Sequence, residues 1–250
     1  MNLSRYIGRK PAQPGLLPGE RIVAIGDIHG RLDLLHDLLE RIIATLAVRP
    51  ALRTRCVILG DFIDRGAHSR ELIEMFRSLK SRDLVVLKGN HEAALVDAML
   101  GDHHAAEVWA RFGGIETLAS FGVDVTAIDV EDSSELIACI RAAIPEGVGK
   151  WLARLPLTFR AGGYVFVHAG IRPGVPINRQ AASDLLWIRE AFTESDADHG
   201  AVIVHGHSIR EAGVEITANR ICVDTGAYRT GRLSAVVLEG DQITPLTTGD

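Results

Sequence analysis

Cysteine is scarce and odd in number. Cys56, Cys139 and Cys222 lie in apolar stretches with no common spacing. That excludes a disulfide framework and predicts buried free thiols in a reducing compartment. No apolar run approaches the ~18 residues of a membrane span. Residues 1–20 carry Arg5, Arg9 and Lys10 with no hydrophobic stretch behind them, unlike a secretory signal. The cytoplasm is therefore the expected location. Charge of one sign is lacking as well: 27 Lys and Arg against 32 Asp and Glu leave a net charge of -5. This gives no electrostatic case for a nucleic-acid or membrane partner. An anionic substrate would have to be held by local arginines and metal cations. Internal repeats and low-complexity segments are also absent.

What remains is ordinary globular material. The chain has 250 residues, 47% hydrophobic and 24% charged, enough for one large domain or two small ones with a substantial core. Pro11, Pro14, Gly15, Pro18 and Gly19 mark residues 1–20 as an arm or surface loop. Strands are predicted over 21–26, 56–59 and 84–87. A helix over 31–47 has Leu32, Leu35, Leu39, Ile42, Ile43 and Leu46 on one face, and a second over 69–80 has Ser69 as N-cap and Leu72, Ile73, Phe76 and Leu79 inward. Alternating strands and helices imply a largely parallel sheet. Residues 91–155 read as mostly helical, with Asp132 and Glu135 resembling a capping box. The stretch 101–155 is expected to form a cap beside the site, within a domain covering 21–250. Strand signals return at 164–168, 201–205, 220–224 and 233–239. Two sheets packed face to face with helices outside follow.

Polar residues cluster where these strands end: Asp27 and His29, Asp61, Asp64 and Arg65, Asn90 and His91, His168, and His205 with His207. Each has a bland explanation alone. Asp27 could serve a turn, Asn90 an N-cap, His168 a core hydrogen bond. His91-Glu92 suggests a zinc-peptidase helix, but Leu95 stands where a second histidine is required. Residues 147–150 resemble a phosphate loop without its first glycine or its Ser/Thr. His103 and His104 read as solvated. Jointly the strand-end residues point elsewhere, because ligands bind beyond the carboxyl ends of α/β strands. Oxygen and nitrogen donors without cysteine suit Mn, Fe, Zn or similar divalent ions. A pair of such ions needs a bridging carboxylate.

The segments Gly26-Asp27-Ile28-His29-Gly30, Gly60-Asp61-Phe62-Ile63-Asp64-Arg65-Gly66 and Gly89-Asn90-His91-Glu92 resemble those of the phosphoprotein phosphatase family of calcineurin-like metallophosphoesterases, most of all its bacterial and bacteriophage-type serine/threonine phosphatase branch. The resemblance runs from Arg21 to about Glu239. It implies a four-layer α/β/β/α sandwich of two mixed sheets and a cofactor of two divalent metal ions, Mn²⁺ first. By resemblance, Asp27 and His29 hold the first metal, Asp61 bridges, and Asn90, His168 and His207 hold the second. His91 is the general acid and Asp64 orients it. Arg65 and Arg189 bind phosphate, with Asn90 and Tyr228 beside them, and His205 is a neighbour of the site.

The reaction implied is hydrolysis of a phosphate monoester by direct attack of a metal-bridging hydroxide, without a phosphoenzyme. The expected partner is a phosphorylated protein or peptide bearing phosphoserine, phosphothreonine or phosphotyrosine. The alternative is a nucleotide polyphosphate, through symmetrical cleavage of diadenosine tetraphosphate. A metal-binding regulator without turnover is the reading from a different class. Glu92 favours the first, since the tetraphosphatase branch tends to carry aspartate there. Ser208 replaces a threonine common among bacterial relatives.

Overall fold

The computed structural model describes residues 15–48, 51 and 53–249. Most of the expected N-terminal arm, residues 1–14, lies outside the described residues. Of the remainder, Leu16 is no surface residue. It is 7% exposed, joins the core between the sheets, and its N–H donates to Gly240 O at 3.1 Å.

Ten strands run in chain order: β1 (Glu20–Ile25), β2 (Arg53–Ile58), β3 (Leu84–Val86), β4 (Thr158–Ala161), β5 (Tyr164–Val167), β6 (Val202–His205), β7 (Glu215–Ile216), β8 (Arg220–Cys222), β9 (Ser234–Glu239) and β10 (Gln242–Thr247). They form two five-stranded sheets, ordered β10-β9-β1-β2-β3 and β4-β5-β6-β8-β7. β1, β2 and β3 are parallel, as are β5, β6 and β8, while β4, β7, β9 and β10 pair antiparallel. Both sheets are mixed, as expected. The edge strands β4 and β10 and the two-residue β7 are additional to the sequence-based elements. Pro245 within β10 argues against a strand in sequence but is tolerated because that strand is an edge.

A strand's period of two fixes which residues meet. Ile22 and Ala24, Val57 and Leu59, Tyr164 and Phe166, Val202 and Val204, Ile221 and Val223 all enter one inner core between the sheets. The intervening Val23, Ile25, Ile58 and Val86 face helices on the outer side of the first sheet. Val165, Val167 and Ile203 pack under Leu185, Ile188 and Phe192 on the outer side of the second. The result is a four-layer α/β/β/α sandwich.

The outer helices of the first sheet are α1 (Leu32–Ala47), α2 (Ser69–Ser78) and α3 (Asn90–Leu100). On α1 the buried stripe is Leu35, Leu38 and Ile42, while Ile43 is 67% exposed. Ile43 falls at the edge of the stripe set by 3.6 residues per turn, and Leu38 takes the inward place. α2 ends at Ser78, so Leu79 lies past its last turn and points outward. The insert follows as α4 (His103–Trp109), α5 (Ile115–Ser120), α6 (Ser133–Ala143) and α7 (Glu146–Ala153). Asp132 caps α6 by accepting from the N–H groups of Ser134 and Glu135 at 2.9 and 3.2 Å. Between α4 and α5, Phe112 and Gly113 leave helical geometry, with Gly113 at φ 104°. Trp109, Leu118, Ile140 and Leu152 share one continuous hydrophobic cluster with Leu95 of α3 and Ile73 of α2. The short α8 (Ala182–Trp187), α9 (Glu190–Thr193) and α10 (Ala227–Thr230) complete the fold. The three cysteines are free, Cys222 buried and Cys56 and Cys139 half-buried. Among the described residues, no helix is long and apolar enough to cross a membrane.

Candidate active site

The motif residues gather where the sheets bring their carboxyl ends together. Asp27 follows β1, Asp61 follows β2, Asn90 opens α3, His168 follows β5 and His207 follows β6. These and His29 are at most 6% exposed. Asp61 Oδ2 is their common point, 3.4 Å from His168 Nε2, 3.8 Å from His29 Nε2 and 3.9 Å from His91 Nε2. Donor atoms of Asp61, His168 and His207 lie within 4.8 Å of one another, as do those of His29, Asp61 and His91. Asn90 Oδ1 sits 2.8 Å from His168 Nε2. Its side chain is thus turned into the site, and Gly89 is the N-cap of α3. Asp27 Oδ2 accepts the His207 N–H at 3.0 Å. A Cβ on Gly206 would strike Asp27 Oδ1, so glycine is required before His207.

The donor set fits divalent cations. His29 Nδ1 donates to Ile63 O at 3.0 Å and His168 Nδ1 to Leu59 O at 2.9 Å. A carbonyl only accepts, so these bonds place a proton on each Nδ1 and turn each Nε2 toward Asp61. Such outer bonds are how metal-ligating imidazoles are usually oriented. Asp27 Oδ1 and His207 Nε2 are buried with no hydrogen-bond partner, a costly arrangement unless something else coordinates them. Burial, helped by the charge of His168, pushes His207 down to about 2, leaving a neutral ring. Burial opposes charge on Asp61, yet His168 and His91 hold its carboxyl well below the usual range. Burial and then Asp224 push Asp27 well up. His168 is driven to about 10 against its burial, chiefly by Asp61. A proton on His168 thus balances a surplus of buried carboxylate, a task a divalent cation would take over.

Beside this cluster lies a hydrogen-bonded imidazole–carboxylate pair. His91 Nδ1 is 2.7 Å from Asp64 Oδ2, and both side chains are almost wholly buried. Burial disfavours charge on His91, but Asp61 and Asp64 outweigh it and raise its pKa. Arg65 donates from Nη1 to His29 Nε2 at 2.9 Å and from Nη2 to His91 Nε2 at 3.0 Å. Its guanidinium lies 4.2 Å from the centre of the Tyr228 ring, which meets His29 edge-on at 5.2 Å. Arg189, exposed at the start of α9, is near enough for its charge to help depress His207. Trp187 meets the His207 ring edge-on at 6.3 Å.

The backbone here is strained. Among the described residues, the non-glycine residues with positive φ are His29 (48°), Asp61 (46°), Asp64 (71°), Arg65 (67°) and His207 (62°). Every one belongs to this site, and such conformations cost of order 1–3 kcal/mol each.

Residues 20–238 match the calcineurin-like phosphoesterase family. The chain belongs to that family. It is 27% identical over 223 residues to serine/threonine-protein phosphatase 2 of Escherichia coli (strain K12), covering 85% of this chain and 90% of the relative. It is 34% identical over 151 residues to the symmetrical bis(5'-nucleosyl)-tetraphosphatase of Dechloromonas aromatica (strain RCB), covering 60% of this chain and 44% of the relative. The match thus spans less than half the length of that tetraphosphatase, whereas the one from Nitrosospira multiformis is matched over 68% of its length at 25% identity. A crystal structure provisionally assigned as a diadenosine tetraphosphatase shares the fold at TM-score 0.61 with 22% identity, covering 95% of each chain. A cold-active protein tyrosine phosphatase does so at TM-score 0.56 with 16% identity, covering 93% of this chain and 81% of its own.

Several roles within this phosphoesterase site escape the sequence reading. Glu92, fully buried, accepts from Gly89 N–H at 2.7 Å and from Asp61, Phe62 and Ile63 N–H at 2.9, 2.9 and 3.3 Å. It clamps the turn that carries Asp61. Ser69 does not cap α2. Its Oγ accepts the Asp64 N–H at 2.9 Å, and His68 is the N-cap. Thr117 of α5 reaches Asp64 as well. Asp224, past β8, is pushed up to about 6 by burial, and its Oδ1 accepts the Gly226 N–H at 2.8 Å.

His205 belongs to neither group of convergent donors. Its ring packs edge-on against Phe192 at 5.0 Å, with Nδ1 donating to Gly206 O at 3.0 Å. Burial pushes it down to about 3. A histidine depressed on folding contributes stability above its unfolded pKa near 6.5, lost as pH falls from there toward the folded value. Its share should drop by about 2 kcal/mol between pH 7 and pH 5. In urea unfolding, His205→Gln should shrink the stability difference between those pH values by that amount. An unchanged difference would place the acid sensitivity elsewhere.

Proposed function

We propose that the chain is a dinuclear-metal phosphatase acting on phosphate monoesters, with phosphoserine and phosphothreonine in proteins as first substrates and phosphotyrosine as a further one. The observation carrying this is the 2.7 Å contact between His91 and Asp64 beside Arg65. A serine or threonine leaving as alkoxide is a strong base and needs a proton in the transition state. ADP, the product of symmetrical cleavage of diadenosine tetraphosphate, leaves as a stable anion and needs none. The alternative remains that tetraphosphatase reaction, favoured by the higher identity of those relatives. Against it stand the fuller length match to the Escherichia coli phosphatase and the presence of Glu92.

Asp27, His29 and Asp61 would hold one ion, and Asp61, Asn90, His168 and His207 the other, with manganese as the expected metal. When bound, the ions supply an activated water and offset phosphate charge. The chain's own groups do the rest. Arg65 and Arg189 take phosphate oxygens, Arg65 turning from the two imidazoles to do so, with Asn90 and Tyr228 alongside. His91 Nε2 gives its proton to the departing oxygen while Asp64 keeps Nδ1 in place. Residues 101–155 border the substrate groove as a cap within the domain 21–250, and the cytoplasm is the proposed location.

The test offers manganese-loaded protein a phosphoserine peptide and diadenosine tetraphosphate, with products separated by chromatography. Phosphate from the peptide supports the first reading and ADP from the dinucleotide the alternative. Absence of turnover with any divalent metal would leave only a regulatory role. Asp61→Asn should lower bound manganese per chain in elemental analysis. An undiminished metal content would remove Asp61 from its bridging role.

A further inference from the structure

We propose that Thr117, carried by the helical insert, is a positioning residue for the proton-donating pair: its hydroxyl holds the Asp64 carboxylate in the orientation His91 requires. This rests on the reading of His91 as the acid.

Asp64 is wholly buried, and its Oδ2 is committed to His91 at 2.7 Å. The other oxygen, Oδ1, accepts from Thr117 Oγ1 at 2.6 Å, the length of a strong charge-assisted bond. With both oxygens engaged, the carboxylate cannot rotate about its terminal torsion, which is otherwise soft. Thr117 is itself fixed. Its Oγ1 accepts the Asp64 N–H at 3.1 Å and lies 2.9 Å from Ser69 Oγ. A hydroxyl has one proton and two lone pairs. The carboxylate claims the proton, so in that state Ser69 fills the remaining contact with its own.

The insert grips the next residue too. Gly113 O accepts the Arg65 N–H at 2.8 Å and Phe112 O accepts Arg65 Nε–H at 3.2 Å. A Cβ on Gly113 would collide with Arg65, and its φ of 104° suits glycine alone. Asp64 and Arg65 are consecutive, both in left-handed backbone, and the insert contacts both. The insert has its own apolar anchors in Trp109 and Leu118, each at most 1% exposed. It does not need a hydroxyl at position 117 merely to stay attached.

The test compares wild type, Thr117→Val, Thr117→Ser and His91→Asn as full-length manganese-loaded proteins. The substrates are a phosphoserine peptide and p-nitrophenyl phosphate, whose phenolate leaves without a proton. Thr117→Val should lower kcat on the peptide by ~10–100-fold, the scale of losing an outer-sphere partner, with KM little changed. The fall on p-nitrophenyl phosphate should be much smaller, and Thr117→Ser should recover most of the loss. Melting curves check that each variant is folded. Equal falls on both substrates, no fall at all, or a serine variant as slow as the valine one overturns the proposal. His91→Asn separates the two levels. If it shows no preference for the better leaving group, the acid reading fails and this proposal with it. If it does and Thr117→Val does not, only the role of Thr117 fails.

Discussion

Replacing His91 with asparagine should slow turnover of a phosphoserine peptide by ~10²–10⁴-fold, the usual contribution of a general acid, while bound metal stays at its wild-type content. The loss corresponds to roughly 3–5 kcal/mol of transition-state stabilisation. Asparagine cannot supply the imidazolium proton that the 2.7 Å bond to Asp64 favours. The metal half of the prediction is the sharper one, because His91 also lies in the convergent group with His29 and Asp61, from which Asp27 is missing. If elemental analysis shows an ion lost from the asparagine variant, His91 is a ligand and the acid must be sought elsewhere. A covalent phosphoenzyme caught by rapid quench would separately sink direct hydrolysis.

Glu92→Ala should lower the melting temperature by about 10 °C. The substitution strands four buried N–H donors, those of Asp61, Phe62, Ile63 and Gly89, and each unpaired donor costs about 1–3 kcal/mol. Part of this is offset, because burial and the nearby Asp61 push the Glu92 carboxyl up to about 7. A net loss of ~4 kcal/mol, at ~2–4 °C per kcal/mol for a domain of this size, gives the stated shift. Calorimetry measures it. Metal content should fall alongside, since the clamped turn carries Asp61. A variant that melts with the wild type would show that the turn holds its shape by other means.

Much of the site was legible because its parts are local. Asp27, Asp61, Asn90, His168 and His207 each follow a short apolar strand, parallel pairing within each sheet sets such ends side by side, and the family resemblance implied their roles. Asp64 and Arg65 were legible by adjacency to Asp61. Glu92 left a fainter signal. It stands three residues after Gly89, where a side chain reaches back over a helix's first turn, but its reach to a second loop has no local mark. Thr117 lies 53 positions from Asp64, and no spacing rule joins an insert helix to a strand-end turn. Ser69 was misread for a related reason. It fits an N-cap by position, but the Asp64 N–H offers its hydroxyl a better partner. The edge strands β4 and β10 were lost because edges tolerate proline and charge, which mask the alternation.

The left-handed residues of the site limit how this enzyme can be hardened. Exchanging a strained residue for glycine is a routine way to relieve backbone strain. Here the five strained positions are also ones to which the proposed mechanism gives a binding, bridging or orienting side chain. Glycine at any of them would trade catalytic capacity for heat resistance. Thermostable variants must therefore come from the outer helices and edge strands, and screens that select on melting temperature alone should drift toward inactive proteins.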